Sequence, residues 1–517
     1  MNTMPNHTRH VTLALIFLLG LGSYANADVT VDKMFTDHMV LQRDLAVPIW
    51  GTAEPKEAIE VRFRDQSKKT TADKNGKWIV KLDKLKVGEP GKLTISGKNS
   101  VTLEDVLVGE VWVGSGQSNM AGRCGSYMRN DKVLAEMANG GPYPTLRLYG
   151  RSGWQVADKK TAPAFSALHF AFGFNLHKEL KVPVGLMVGA VGGTPSGRWL
   201  SGDMAANDKS LMKKILATGH SPLRKQSGPI GLFEKVRDLS PAELKAGKKA
   251  GKVVTAVATR MHKFGDLYAR FIEPKIPYGI RGVLWDQGES RTQIPGVDQY
   301  TAMNALINGW RKTWGQGDFH FLHIQKPSGE GCAWDATNPT NRGALKFGIL
   351  PKNHTGAARS LEYPLRHIKI GTLLNAPLVT ASDLGIGIHP QCKSGYGKRA
   401  CRVALGVVYG KDVAVSGPVY KSHKVEGAAI RVAFDHIGKG LALRHAGSIQ
   451  GFEVAGEDGK WAWADAKIDG DAILVSSKEV AKPAGVRYAF ARRHNYANLF
   501  NKDGLPALMF TTVKWEK

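Results

Sequence analysis

In the stretch AIEVRF, residues 58–63, apolar Ile59, Val61 and Phe63 alternate with charged Glu60 and Arg62. A period of two is the pattern of a strand with one buried face. Further on, DKNGKWIVKL sets Asn75-Gly76 between two β-prone runs, which predicts a hairpin. VGEPGKLTISG adds another turn and strand. Residues 28–106 therefore read as a small N-terminal β-sandwich.

The texture changes at VLVGEVWVGSG, where apolar positions run on almost without a break. Such a run is expected of a parallel strand buried on both faces. PAFSALHFAFGFNLHKEL then places Leu168, Phe172 and Leu176 on one helix face, with Ser166 positioned to cap the start. VPVGLMVGAVGGT, IRGVLWDQGES and GDFHFLHIQ supply three more strands. Strand and helix alternating in this way predict an α/β domain over residues 107–415 with a mostly parallel sheet.

Between about 201 and 263 the pattern weakens into a lysine-rich insertion over the sheet edge. Within it, DLSPAELKAGKKAGK predicts one short helix. Ser240 would cap it, Pro241 stand in its first turn, Glu243 close the capping box and Gly247 end it. From about residue 416 short alternating runs return, with Gly456, Gly459 and Gly470 marking turns. A second β-sandwich is expected over residues 416–517.

Composition adds three constraints. The chain has 517 residues, 43% hydrophobic and 22% charged, which is a globular balance for several domains. At the N-terminus Arg9 precedes an apolar run from Val11 to Leu21, and Ala25 and Ala27 follow. That is a cleavable signal peptide over residues 1–27, too short to span a bilayer, and it predicts a secreted or periplasmic protein without a membrane span. The four cysteines, Cys124, Cys332, Cys392 and Cys401, contain no CxxC zinc spacing; disulfides among them have three possible pairings, which a core this large does not need. The formal net charge of +26 fits either an acidic partner or a solvated basic surface with no partner. With no nucleic-acid-binding signature and an export signal, an acidic glycan fits better than nucleic acid.

The candidate chemistry stands at strand ends, where open α/β sheets bind ligands. Gln117-Ser118-Asn119, Gly192-Gly193-Thr194 and Gln287-Gly288-Glu289 each follow an apolar strand, and His389 comes later in SDLGIGIHPQCKSGYGKRA. A neutral histidine can take the proton of a serine hydroxyl and so make it a nucleophile. The backbone N–H groups of Ser118 and Gly193 could then receive the oxyanion of a tetrahedral intermediate.

GEVWVGSGQSNM, GGTPSGRW, LYARFIEPKIPYGIRGVLWDQGES, DLGIGIHP and YANLFNKDGLPALMF together resemble the sialate O-acetylesterase family of SGNH serine hydrolases. The resemblance runs from about Val29 to Thr512. It implies a flavodoxin-like three-layer α/β/α hydrolase core between β-sandwich regions, acting on an acetylated carbohydrate with no metal or other cofactor. By position it makes Ser118 the nucleophile and His389 the general base. Ser118 and Gly193 would form the oxyanion hole, with Gln287 as a side-chain donor. Gln117, Asn119 and Thr194 become candidates for substrate contact, and Trp199 either stacks on a sugar ring or belongs to the core. Relatives outside this branch carry an aspartate three residues before the histidine, where this chain has Ile386. The orienting acid is then Glu289 or Asp383, unless serine and histidine act as a dyad. The alternative for the whole chain is a non-catalytic carbohydrate-binding protein on the same scaffold.

Overall fold

The computed structural model describes residues 28–218, 220–222, 233–238, 252–256, 264–325, 331, 338, 340, 345–352, 358–381, 383–491 and 493–513. The expected leader, the capped helix at 240–247 and Cys332 lie outside these residues.

The protein is a mixed α/β chain organised around one long strand, β1 (Ser100–Gly116). Its neighbours are β2 (Tyr143–Gly150), β3 (Gly153–Ala157), β4 (Val184–Ala190), β5 (Gly282–Asp286), β6 (His320–Ile324) and β7 (Leu378–Val379). The central path of the sheet runs β3-β2-β4-β1-β5-β6-β7. Every pairing along it is parallel except β2 with β3. Along β1 the side chains alternate between two cores: Val111 and Val113 join one, Trp112 the other. Both faces of the sheet are covered, which explains the unbroken apolar text of these strands.

Helix α1 (Ala167–Leu180) starts where Ser166 accepts a hydrogen bond from the His169 amide at 3.2 Å, as the sequence predicts. It packs on α2 (Lys393–Val407) within the Trp112 core. Gly397 makes that approach close, since a Cβ there would lie 2.5 Å from the Ala171 Cβ. On the other face, the helix Gln299–Trp314 puts Met303, Leu306 and Trp310 against Trp285 and Phe321. The weakly patterned stretch after residue 201 opens with two helices, Gly202–Asn207 and Lys209–Ala217, capped by Ser201 and Asp208. Leu211 and Ile215 bury against this same core. Beyond them, three antiparallel strands occupy His220–Pro222, Phe233–Asp238 and Lys252–Ala256.

Before the core, Ile59, Val61 and Phe63 are buried and Arg62 exposed, as the alternation requires. The turn at Asn75-Gly76 differs from the hairpin expectation. Lys77–Leu82 pairs with Val47–Thr52, while Gln66–Thr71 pairs with Ala58–Phe63 in another sheet. Gly76, at φ +74°, hydrogen bonds through its carbonyl to the Ala53 amide, and a Cβ would stand 2.5 Å from the Ala53 carbonyl oxygen. The turn is therefore an arch between sheets, drawn over by its contact with Ala53.

The N-terminal strands and the core share β1. Its first part pairs with Gly91–Ser96, its later part with β4 and β5, so the boundary expected near residue 106 falls inside a single strand. The fully buried Glu110 fastens this junction, accepting from Arg43 Nε at 2.5 Å and Arg281 Nε at 2.7 Å. After α2, two four-stranded antiparallel sheets enclose a separate apolar core that includes Val432, Phe452, Val475 and Tyr488.

Candidate active site

The sheet reverses its order at β1: the chain adds β4 on one side of it and β5 on the other. A crevice opens at the carboxyl end of a strand placed in this way. Gly116 makes the exit from β1 possible. Its φ is +126°, and a Cβ there would lie 2.0 Å from the Asp286 carbonyl oxygen at the end of β5. The Gln117 amide donates to that same carbonyl at 2.8 Å. Ser118 then opens a single helical turn, Ser118–Ala121.

From the loop before α2, His389 Nε2 comes to 2.8 Å from Ser118 Oγ, across 271 residues of sequence. The two side chains are at hydrogen-bond distance in a half-exposed crevice. Gly192, after β4, lies against the serine: a Cβ on it would stand 3.5 Å from the Ser118 Cβ. Gly193 follows at φ +69° with open space where a side chain would be. Neither the Ser118 nor the Gly193 amide is spent in the backbone hydrogen bonds of the described residues.

The remaining sequence candidates divide by what they touch. Gln287 is buried, and its amide nitrogen donates to the carbonyls of Thr194 at 3.2 Å and Arg291 at 3.1 Å. Both amide hydrogens are thus committed to holding loops, which removes Gln287 as an oxyanion donor. Thr194 is buried and donates to the Val191 carbonyl at 2.7 Å. Trp199 is 0% exposed, 6.0 Å from the Trp285 ring in an edge-to-face contact. It belongs to the core and cannot stack on a sugar. Asn119 is also buried, donating to the Ile388 carbonyl at 3.0 Å and accepting from Lys393 Nζ at 2.5 Å. Gln117 is buried and donates to Glu289 Oε2. These polar groups serve the loops that carry the site and do not line its mouth.

Neither candidate acid meets the imidazole. Asp383 is buried with Arg399, whose two terminal nitrogens reach its oxygens at 3.4 and 3.2 Å. Among the described residues the one side-chain partner of His389 is Ser118. Ile386, at the position where an aspartate was sought, is 51% exposed, and Ile388 is 55% exposed. They form an apolar rim beside the histidine.

Beneath the serine lies a buried charge cluster that the sequence reading missed. Asp286, at the end of β5, is buried, and burial together with the neighbouring Glu289 pushes its carboxyl up to about 8. Burial pushes Lys393 down to about 8, opposed by the charges of Asp286, Glu289 and Asp131. The Lys393 ammonium also faces the rings of Tyr127 at 4.9 Å and Tyr396 at 5.2 Å.

A mostly parallel sheet with Ser118 and His389 in hydrogen-bond contact at its switch point defines the class: a mixed α/β protein with a polar side-chain pair at the carboxyl ends of its central strands. Comparison with known proteins narrows this. Residues 108–226 match the family described as carbohydrate esterase, sialic acid-specific acetylesterase. The chain is 28% identical over 343 residues to a sialate O-acetylesterase of Pongo abelii and 27% identical over 343 residues to that of Homo sapiens. In each case 59% of this chain aligns with 58% of the relative, so the chain spans less than two thirds of the curated relatives it matches. A crystal structure of a carbohydrate acetylesterase from Xanthomonas citri superposes with a TM-score of 0.73 at 26% identity, over 94% of this chain and 100% of that one. Over these stretches the chain is similar to the sialate O-acetylesterases.

Proposed function

We propose that the protein is a carbohydrate O-acetylesterase with an SGNH-type hydrolase core between flanking β-sandwich regions, and that Ser118 carries the acetyl group between sugar and water. The observation that carries this reading is the 2.8 Å approach of His389 Nε2 to Ser118 Oγ at the end of β1. Serine oxygen attacks the acetyl carbonyl carbon while its proton passes to Nε2. The oxyanion is received by the Ser118 and Gly193 amides, neither of which is taken up by a backbone hydrogen bond among the described residues. Collapse of the tetrahedral intermediate breaks the bond to the sugar oxygen, and the imidazolium protonates that oxygen. Water then attacks the acetyl-serine with His389 as base, releasing acetate and restoring the hydroxyl.

The contacts of Asp383 and Glu289 support Ser118 and His389 acting as a pair without a carboxylate on the imidazole. The net charge of +26 supports an acidic acetylated glycan as the substrate class. The experiment is acetate release from O-acetylated sialic acid and from acetylated xylan, with Ser118→Ala as control. Losses of about 10⁴-fold or more are expected for Ser118→Ala and His389→Ala. A folded Ser118→Ala protein that still releases acetate at close to the native rate would refute the assignment.

A further inference from the structure

His389 sits in a loop whose immediate neighbours, Ile386, Gly387 and Ile388, are exposed. Gly387 has φ +69° and no atom within 4 Å of where its Cβ would be. An exposed loop with so little packing needs a fixed point if it is to hold an imidazole within hydrogen-bond reach of a hydroxyl. That point is the Ile388 carbonyl, which accepts from Asn119 Nδ2 at 3.0 Å. Asn119 immediately follows the nucleophile, so one side chain ties the serine turn to the histidine loop.

A primary amide can rotate and present either end. Here Lys393 settles the direction: its Nζ donates to Asn119 Oδ1 at 2.5 Å, which leaves Nδ2 pointing at Ile388. Lys393 is fully buried at the first turn of α2. Burying an ammonium is costly unless it is paired and hydrogen bonded. Three acidic groups, Asp286, Glu289 and Asp131, act on it, and two aromatic faces lie over it. Asp131 fixes the same turn of α2, accepting from the Ser394 amide at 2.8 Å and from Ser394 Oγ at 2.7 Å. The lysine is thus built into the fold, and among the described residues its ammonium has one hydrogen-bonded task, to hold the amide of Asn119.

We propose that Lys393 and Asn119 are positioning residues that set His389 against Ser118, through the chain Lys393 Nζ to Asn119 Oδ1 and Asn119 Nδ2 to the Ile388 carbonyl. The proposal rests on the esterase reading of the site. Neither residue touches the reacting atoms; both act through the place of the imidazole.

The test is steady-state hydrolysis of a chromogenic acetate ester by the full chain. Asn119→Asp keeps an acceptor for Lys393 and removes the donor to Ile388, so the buried lysine retains its partner and the fold is preserved. It should lower kcat by about 10²-fold, the loss that follows from a displaced catalytic group, with KM changed about threefold or less. In a His389→Ala background the same substitution should alter the residual rate by less than about twofold, because the group it positions is gone. Lys393→Met should give the same kcat loss, and the double variant Asn119→Asp, Lys393→Met should lose little more than either single change. Should Lys393→Met fail to fold, the Asn119→Asp pair of measurements decides alone. Ser118-dependent hydrolysis with Asn119→Asp within about threefold of native kcat, or an undiminished Asn119→Asp effect without His389, overturns the positioning role. Hydrolysis indifferent to Ser118→Ala overturns the esterase reading instead.

Discussion

Both carboxylate oxygens of Asp383 face the guanidinium of Arg399, at 3.4 and 3.2 Å, and neither reaches the His389 imidazole. Asp383→Asn should therefore act on stability. Breaking a buried ion pair costs about 3 kcal/mol, and urea unfolding will show it as a lowered midpoint. The kcat of the folded variant, and that of Glu289→Gln, should stay within about tenfold of native. A carboxylate that orients a catalytic histidine loses about 10⁴-fold on amidation. A loss of that size in either variant would identify the missing third member.

What the sequence made legible was a pairing: Ser118, at the end of an apolar strand, and His389, in a later loop, come to 2.8 Å, and a parallel sheet opens its crevice at such strand ends. Side-chain direction in those loops was not legible. Helices and strands have a period that says which face is buried, whereas a loop has none. Thr194, Trp199 and Gln287 therefore read as candidates for the mouth and stand in the interior. Lys393, at the start of α2, drew no reading from the sequence. It is drawn inside because Gly397 brings α2 against α1, a contact between segments far apart in sequence.

Trp199 gives a direct check of that distinction. As a core residue it should cost about 3–5 kcal/mol when truncated to alanine. Trp199→Phe, which keeps most of the ring, should leave KM for acetylated sugars unchanged. A raised KM without a change in thermal midpoint would return the indole to the binding surface.

Glu110 carries the junction between the N-terminal strands and the core. Glu110→Gln leaves Arg43 and Arg281 facing a neutral group and should destabilise by about 3 kcal/mol. Chemical denaturation measures this, with an unchanged m-value if the native fold persists.

Asp286 predicts a pH dependence of stability. Its native pKa, raised to about 8, exceeds the unfolded value of 3.8, so the folded state holds the extra proton between those limits. Stability contributed by this group is full below the unfolded value and is lost as pH rises toward 8. The slope is up to about 1.4 kcal/mol per pH unit. Asp286→Asn should therefore gain on the native protein between pH 5 and pH 8, as measured by parallel urea titrations. Equal slopes for the two proteins would show that Asp286 is ionised when folded.

The charge of +26 predicts that kcat/KM on an acidic acetylated glycan falls as salt is raised from about 0.05 to 0.5 M, across which the screening length shortens several-fold. A neutral acetylated xylan should show no such fall. Matching salt profiles for the two substrates would leave the surface charge without a part in substrate choice.

The 17 residues of β1 begin among the N-terminal strands and end two positions before Ser118. The N-terminal scaffold and the Ser118–His389 contact therefore stand at opposite tips of a single hydrogen-bonded rod. Excising the leading module would strip the rod of its partners along one end and loosen the other, so the two behave as one mechanical piece.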